Sequence, residues 1–187
     1  MKSKDGRGRK KLNDCEHLVK QQINDWYHIY SIDVYNYVFF LMGDHEQAKD
    51  ILQDTFLRAY NNYESFQGGN SKAWLYRIAR NITMDYFRKR KPIAYLMDSI
   101  FTVQTIEQTP EQIIMLNESE KELYIALRKL KRAYRDVIVL RKIKEFSIKE
   151  TSNILGWSES KVKVNLNRGI TALKKELEKE DYIHETF

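Results

Sequence analysis

Helix breakers are rare in this chain, and they fall where a helical protein needs boundaries. The 187 residues contain 7 glycines and 2 prolines, and no stretch shows the alternation of β-branched and polar residues that marks an exposed strand. Gly43 predicts the end of a first helix. Asp44 followed three residues later by Gln47 has the spacing of a capping box, which predicts a second helix through about Tyr60. We therefore predict an all-α fold.

A glycine loop and a proline delimit a further helix. Gly68 and Gly69 predict a loop in which Asn70 or Ser71 can cap the helix that follows. This helix must stop before Pro92, because the residue preceding a proline is pushed out of the α region. The glycine loop thus leads directly into a helix of about twenty residues.

The segment 92–109 divides the chain into two small helical domains. It has no sustained helical period and no Lys or Arg, which predicts a linker, although its apolar side chains indicate that part of it packs on a partner. Thr109 and Pro110 then restart a helix, with a threonine cap and proline at the first helical position. The predicted parts are a basic, disordered arm at 1–11, a first domain at 12–91, the linker at 92–109 and a second domain at 110–187.

Charge and composition limit the class of function. Two basic blocks flank an acidic spacer: residues 1–91 carry 16 basic and 11 acidic side chains, residues 92–117 carry none and 3, and residues 118–187 carry 16 and 12. This distribution favours an anionic partner.

No apolar run reaches the roughly 18 residues that a membrane span requires, and no signal peptide is recognisable, so a cytoplasmic protein is expected. With a single cysteine, Cys15, and scattered histidines, we expect neither a disulfide nor a metal site, and no cofactor.

The second domain contains the pattern of a helix-turn-helix. Ser147 and Glu150 form a capping box for a short helix that ends at Gly156, and a second helix can begin behind Ser158. On that second helix, an apolar seam predicts the inward face; it comprises Val162, Leu166, Gly169, Ile170, Leu173 and Leu177. The outward face is then basic and polar, with Ser160, Lys161, Lys163, Val164, Asn167 and Arg168. A short glycine turn between two helices with such a face is typical of DNA binding, whereas a plain helical hairpin is the alternative.

The helix that follows the glycine loop also has one apolar and one basic face. The apolar stripe consists of Leu75, Ile78, Ala79, Ile82 and Tyr86. The opposite face consists of Arg77, Arg80, Asn81, Met84, Arg88 and Lys91. Aromatic residues lie close by in the sequence, namely Tyr63, Phe66, Trp74 and Tyr76. Arginines among aromatic rings are the composition that single-stranded nucleic acid needs for backbone attraction and base stacking, although each ring alone is more often part of a core.

Two blocks of sequence resemble a known family. The run from Ala48 to Tyr60, followed by Ala73 to Asn81, is similar to region two of the extracytoplasmic-function (ECF) sigma factors of bacterial RNA polymerase, in the sigma-70 family. The run from Ser147 to Lys163, with Asn167 to Gly169, resembles region four of the same family. The resemblance covers about residues 26–177, and the two blocks are in the family's order.

The resemblance implies a non-catalytic alternative sigma factor that binds core RNA polymerase, recognises the minus-ten and minus-thirty-five promoter elements and initiates transcription of stress or envelope-response genes. In holoenzyme it would associate with the nucleoid, and the resemblance implies a membrane-bound anti-sigma factor as a further partner. The implied core-polymerase contacts are Asp50, Gln53, Asp54 and Phe56. The implied minus-ten contacts are Tyr63, Phe66, Gly68, Gly69, Asn70, Ser71, Trp74, Tyr76, Arg77, Arg80, Asn81 and Arg88. The implied minus-thirty-five contacts are Ser160, Lys161, Lys163, Val164, Asn167 and Arg168.

Two other classes of function are the alternatives to this one. A one-component repressor or activator would use the helix-turn-helix alone, but it would leave the basic stretch from Arg77 to Lys91 without a role. An enzyme on a helical scaffold would need a phosphate-binding glycine loop, paired catalytic carboxylates or a nucleophile near a histidine, and the sequence offers none of these patterns.

Overall fold

The computed structural model describes residues 6–90 and 118–184, and the side chains within 16–89 and 122–178. These residues form helices and no strand, which confirms the all-α prediction. The helices, in order, are α1 (Gly6–Met42), α2 (His45–Asn61), α3 (Ser71–Arg90), α4 (Glu118–Lys129), α5 (Arg132–Ile138), α6 (Ile148–Leu155) and α7 (Glu159–His184). A 3₁₀ turn at Tyr63–Ser65 and a π-helical turn at Val139–Ile143 complete the set. The predicted linker, the Thr109 cap and residues 1–5 lie outside the described residues.

Local capping sets the helix boundaries of the first half. Gly43 has a φ of 70°, a left-handed conformation that favours glycine and ends α1. The Asp44 carboxylate accepts a hydrogen bond of 3.0 Å from the Gln47 N–H, as predicted for the start of α2.

Helix α1 begins at Gly6, so residues 6–11, for which the sequence predicts disorder, are helical. Each residue added to an existing helix gains a hydrogen bond without a new nucleation cost, which favours such an extension.

The chain divides into two compact units, Met1–Met84 and Asp85–Phe187. In the first, α1, α2 and the part of α3 up to Met84 bury apolar side chains on their facing sides; the most buried include Val34, Tyr37, Val38, Ala48, Ile51, Ala59, Leu75 and Ala79. The predicted domain boundaries at 91 and 109 fall outside the described residues and stay predictions.

The second unit is a helical domain whose last two helices form the predicted helix-turn-helix. Its core includes Leu127, Val137, Leu140, Phe146, Ile154 and Val162. The Ser147–Glu150 capping box is present in both directions, and Gly156 has a φ of 66°. The Ser158 hydroxyl accepts a 3.2 Å hydrogen bond from the Lys161 N–H and thereby caps α7.

Gly169 of α7 lies directly against α5. A Cβ at this position would be 3.0 Å from the Cβ of Tyr134 and 3.3 Å from its Cα. The absence of a side chain therefore lets the two helix backbones approach each other.

Along the parts of the chain that the structure describes, no helix combines the length and the apolar character needed to cross a membrane.

Candidate nucleic-acid interface

Four aromatic rings pack together, and two of them, Phe66 and Trp74, flank the glycine loop in the chain. Trp26 of α1 lies 5.7 Å from Tyr63, 5.0 Å from Phe66 and 6.0 Å from Trp74, measured between ring centroids. Phe66 in turn lies 5.2 Å from Trp74. We call these four residues the aromatic cluster. Tyr63, Phe66 and Trp74 are half-buried, whereas Trp26 is buried, so the cluster presents only parts of its rings to solvent.

Trp26 was missed by the sequence analysis. Its partners lie about 40 residues further along the chain, so no local pattern indicates the contact. One signal was present: Trp26, Tyr30 and Asp33 are spaced i, i+4 and i+7, which places them on one face of α1. This face supports the start of α3, because the Ser71 hydroxyl lies 3.5 Å from the Tyr30 hydroxyl.

The glycine loop itself is exposed and has a left-handed backbone conformation. Gly68 and Gly69 have φ values of 83° and 90°, a left-handed conformation that other residues adopt at a cost. No atom lies within 4 Å of a Cβ built at either glycine, so their surroundings are open. The Asn70 side-chain oxygen accepts a 3.1 Å hydrogen bond from the Ala73 N–H, which makes Asn70 the cap of α3. The loop therefore offers exposed backbone at a defined position next to a helix start.

Asp33 joins the beginning of α3 to α1. Its carboxylate lies 2.6 Å from the Lys72 ammonium, in a half-buried ion pair. Its backbone carbonyl accepts a 3.0 Å hydrogen bond from the Tyr76 hydroxyl. Burial raises the pKa of Tyr76 above its ordinary value, so this hydroxyl stays protonated and remains a donor.

Tyr76 does not belong to the nucleic-acid surface, contrary to the prediction. Its side chain is completely buried and its ring stacks on Tyr37, with centroids 4.8 Å apart. A ring enclosed in the core cannot stack on a base. The prediction failed because α3 packs on its neighbours over a wider arc than the apolar stripe alone indicates.

Most of the described residues predicted for the basic face of α3 are accessible to solvent. Arg77, Asn81 and Arg88 are exposed, and Arg80 is half-buried. Arg88 forms an ion pair with Asp85, one turn earlier on the same helix. Met84 was expected on this face but is 6% exposed and belongs to the core. The face is therefore narrower than predicted, and it follows the glycine loop along α3.

Helix α2 presents a separate polar surface. Asp50, Gln53 and Asp54 are exposed, as the predicted polymerase-docking residues should be. Phe56, predicted with them, is instead buried and packs edge-on against Tyr27 at 5.0 Å. Leu57 was missed: its side chain is 58% exposed, four residues after Gln53, so it adds an apolar contact to this face.

The outer face of α7 agrees with the predicted orientation. Ser160, Lys161, Lys163, Val164, Asn167 and Arg168 are all exposed. Val162 and Gly169 are buried on the opposite side. One residue of this region was missed: Trp157, in the turn before α7, has its ring centroid 4.4 Å from the Lys161 ammonium.

Among the described residues, no three His, Cys, Asp or Glu side chains are grouped so that they could hold a metal ion. The described residues offer surfaces: an exposed glycine loop flanked by aromatic rings, a basic helix face, an acidic helix face and the outer face of a helix-turn-helix.

Two family models match the chain, one in each half. Residues 26–93 match "Sigma-70 region 2", and residues 120–173 match "Sigma-70, region 4". The first match contains the aromatic cluster, the glycine loop and α2. The second contains α6 and the part of α7 that carries its outer face.

Curated relatives match over most of their length. The chain is 36% identical to the ECF RNA polymerase sigma factor SigX of Bacillus subtilis (strain 168) over 158 residues, which is 81% of either chain. It is 36% identical to the RNA polymerase sigma factor YlaC of the same organism, over 86% of this chain and 94% of YlaC. With the ECF RNA polymerase sigma factor SigW, also from this organism, the identity is 35% over 80% and 85% of the two chains.

Solved structures share the fold at lower identity. The sigma factor RpoE of Bartonella quintana, solved in complex with the anti-sigma factor NepR, superimposes with a TM-score of 0.67 at 23% identity, over 84% of this chain and 98% of that one. CnrH, solved in complex with the cytosolic domain of CnrY, gives a TM-score of 0.64 at 21% identity, over 85% and 89% of the two chains. These likenesses establish the helical fold.

Proposed function

Because the chain belongs to the ECF sigma factors of the sigma-70 family, it is an alternative sigma factor, and we propose that its surfaces divide promoter recognition between the two helical domains. It is a non-catalytic subunit that binds core RNA polymerase and promoter DNA to initiate transcription. The assignment of individual residues to these contacts is the proposal.

The glycine loop is proposed to capture a base of the minus-ten element. Extruding a base costs a few kcal/mol of lost stacking and pairing, and a protein must offset this cost by stacking and by contacts in a shaped pocket. Stacking on an aromatic ring contributes about 1–3 kcal/mol per base. The observation that carries the proposal is that the loop lies in the chain between two half-buried rings in contact with each other. Phe66 and Trp74, whose ring centroids are 5.2 Å apart, flank an exposed backbone in a left-handed conformation.

The basic face of α3 is proposed to hold the non-template strand that leaves this loop. Arg77 and Asn81 are exposed one turn apart, and Arg88 follows two turns later. Arginine attracts the phosphate backbone and can also stack on bases, so these side chains suit a melted strand. Arg80 contributes only through the part of its side chain that solvent reaches.

The outer face of α7 is proposed to read the minus-thirty-five element in the major groove. Lys161 and Lys163 are assigned to phosphates, since an ammonium group is a compact charge without directional preference. Asn167 and Arg168 are assigned to base edges, because each can make two directional hydrogen bonds to one base. Val164, 46% exposed and apolar, suits contact with a thymine methyl group.

The exposed face of α2 is proposed to dock on the largest subunit of core polymerase. Asp50, Gln53 and Asp54 supply polar contacts and Leu57 an apolar one, the combination that a buried interface centre with a polar rim requires. In this proposal, Phe56 supports the helix from inside the core and makes no contact with the polymerase.

We further propose that the protein works in the cytoplasm, associates with the nucleoid as part of holoenzyme, and serves stress or envelope-response genes. An anti-sigma factor, membrane-bound in many relatives, is a proposed regulator. The complex of RpoE with the anti-sigma factor NepR supports this proposal.

The decisive experiment is run-off transcription with purified core polymerase on a library of genomic fragments. The protein should co-purify with core polymerase and produce discrete transcripts, whereas a repressor would do neither. The double variant Arg77→Ala and Asn81→Ala should retain core binding but lose permanganate reactivity of the melted minus-ten region. Asn36→Ala, an exposed change on α1 outside every proposed surface, is the matched control and should behave as wild type.

A further inference from the structure

The turn of the helix-turn-helix holds a tryptophan in a fixed place. Trp157 lies between Gly156, whose φ is 66°, and Ser158, which caps α7. Its backbone N–H donates a 3.0 Å hydrogen bond to the carbonyl oxygen of Ser152 in α6. The backbone of Trp157 is therefore hydrogen-bonded to the preceding helix, which limits the positions that its half-buried side chain can reach.

The face of this ring is occupied by the ammonium group of Lys161. The distance of 4.4 Å from Nζ to the ring centroid is well inside the range of about 6 Å for a cation–π contact. Lys161 belongs to the first turn of α7, where the positive end of the helix dipole disfavours a cation. The negative face of the indole ring offsets this disadvantage locally.

From this geometry we propose that Trp157 is a positioning residue for Lys161 in the binding of duplex DNA. A free lysine side chain loses much rotamer freedom when it binds a phosphate. The ring orders the stem of Lys161 before DNA arrives. It also occupies one side of the ammonium group, so that the N–H groups on the other side remain available to phosphate oxygens. The inference rests on the proposed function, in which Lys161 contacts the DNA backbone.

Lys163 provides an internal comparison. It is exposed on the outer face of the same helix and carries the same charge, but no ring contact of Lys163 occurs in the described part of the chain. The proposed effect of Trp157 should therefore act through Lys161 and leave Lys163 unaffected.

The test is a double-mutant cycle in reconstituted holoenzyme, with affinity for a minus-thirty-five duplex measured at several salt concentrations. Trp157→Leu, which keeps an apolar side chain in the turn, should weaken binding about three-fold, in keeping with an exposed cation–π contact. In a Lys161→Gln background the same change should have no further effect. In a Lys163→Gln background it should again cost about three-fold. Trp157→Phe should retain most of the wild-type affinity, because the phenylalanine ring can still face the ammonium group.

Two additional readouts separate positioning from a structural role. The ε-methylene protons of Lys161 should show an upfield ring-current shift in the NMR spectrum of the full chain, and Trp157→Leu should remove it. The salt dependence of binding should fall by about one unit for Lys161→Gln and stay unchanged for Trp157→Leu, since the lysine keeps its charge. A three-fold loss that persists without Lys161 would overturn the inference and leave the proposed function intact. Unchanged duplex binding in Lys161→Gln would instead remove the proposed phosphate contact itself, and the inference with it.

Discussion

Replacing Gly169 by alanine tests the close approach of α5 and α7, on which the orientation of the helix-turn-helix depends. The added Cβ would lie 3.0 Å from the Cβ of Tyr134, 3.1 Å from Cδ1 of Ile138 and 3.3 Å from the Cα of Tyr134. The Ile138 methyl group can rotate away, but the Cα and Cβ of Tyr134 belong to the frame of α5. Relief of the overlap therefore requires α7 to move by a few tenths of an ångström.

We expect Gly169→Ala to lower the free energy of unfolding of the second unit by about 1 kcal/mol. Overpacking of this kind costs about 1–3 kcal/mol. Alanine in a helix interior is favoured over glycine by about 1 kcal/mol, which partly offsets the cost. The displaced helix should also bind the minus-thirty-five duplex more weakly, because its outer face moves with it.

Amide hydrogen exchange of peptides from α5 and α7 measures the opening free energy of this unit separately from the other. Thr171→Ala is the matched control: it is exposed two residues later on the same helix, so we expect a change within about 0.5 kcal/mol. Greater protection of α7 in Gly169→Ala than in wild type would show that helix propensity dominates, and it would refute the close contact.

Three further changes test other parts of the molecule. Charge reversal of both Asp50 and Asp54 to lysine should weaken binding to core polymerase in a competition assay, because it inverts the charge of the α2 face, while circular dichroism remains unchanged; full affinity would exclude this face from the interface. Lys72→Met should lower the free energy of unfolding, measured in urea, by about 0.5–1 kcal/mol, because it removes a half-exposed ion pair with Asp33. It should also slow promoter melting; an unaltered melting rate would mean that anchoring the start of α3 to α1 does not affect the glycine loop. Ser147→Ala should destabilise the helix-turn-helix by about 1 kcal/mol through loss of the capping box, measured by hydrogen exchange of α6; unchanged protection would contradict the role of the cap.

Features determined by neighbouring residues were predictable from the sequence. The caps at Asp44, Ser147 and Ser158 involve partners three residues away, and all three are present in the structure. The inward seam and outward face of α7 also followed from helical periodicity, because this helix packs on its own domain along one side only. Caps and periodicity, which act over a few residues, are therefore sufficient to predict a helical fold with a helix-turn-helix in its second half.

Features that depend on distant partners were not predictable. Periodicity indicates the centre of a buried stripe but not its width, and the width depends on how many helices pack against it. Tyr76, Met84 and Phe56 lie at the margins of such stripes and proved to be buried. Trp26 contacts residues about 40 positions away, so its part in the aromatic cluster required the three-dimensional structure.

The contact between Trp26 and Trp74 gives the first half of the chain an optical signal of its own. Two indole rings 6.0 Å apart at an interplanar angle of 70° couple their electronic transitions, and this coupling depends steeply on distance and angle. One ring belongs to α1 and the other to the first turn of α3, on either side of the loop proposed to take up the base. A rearrangement of the loop that moves either ring would therefore change the near-ultraviolet dichroism of the free protein without any attached dye.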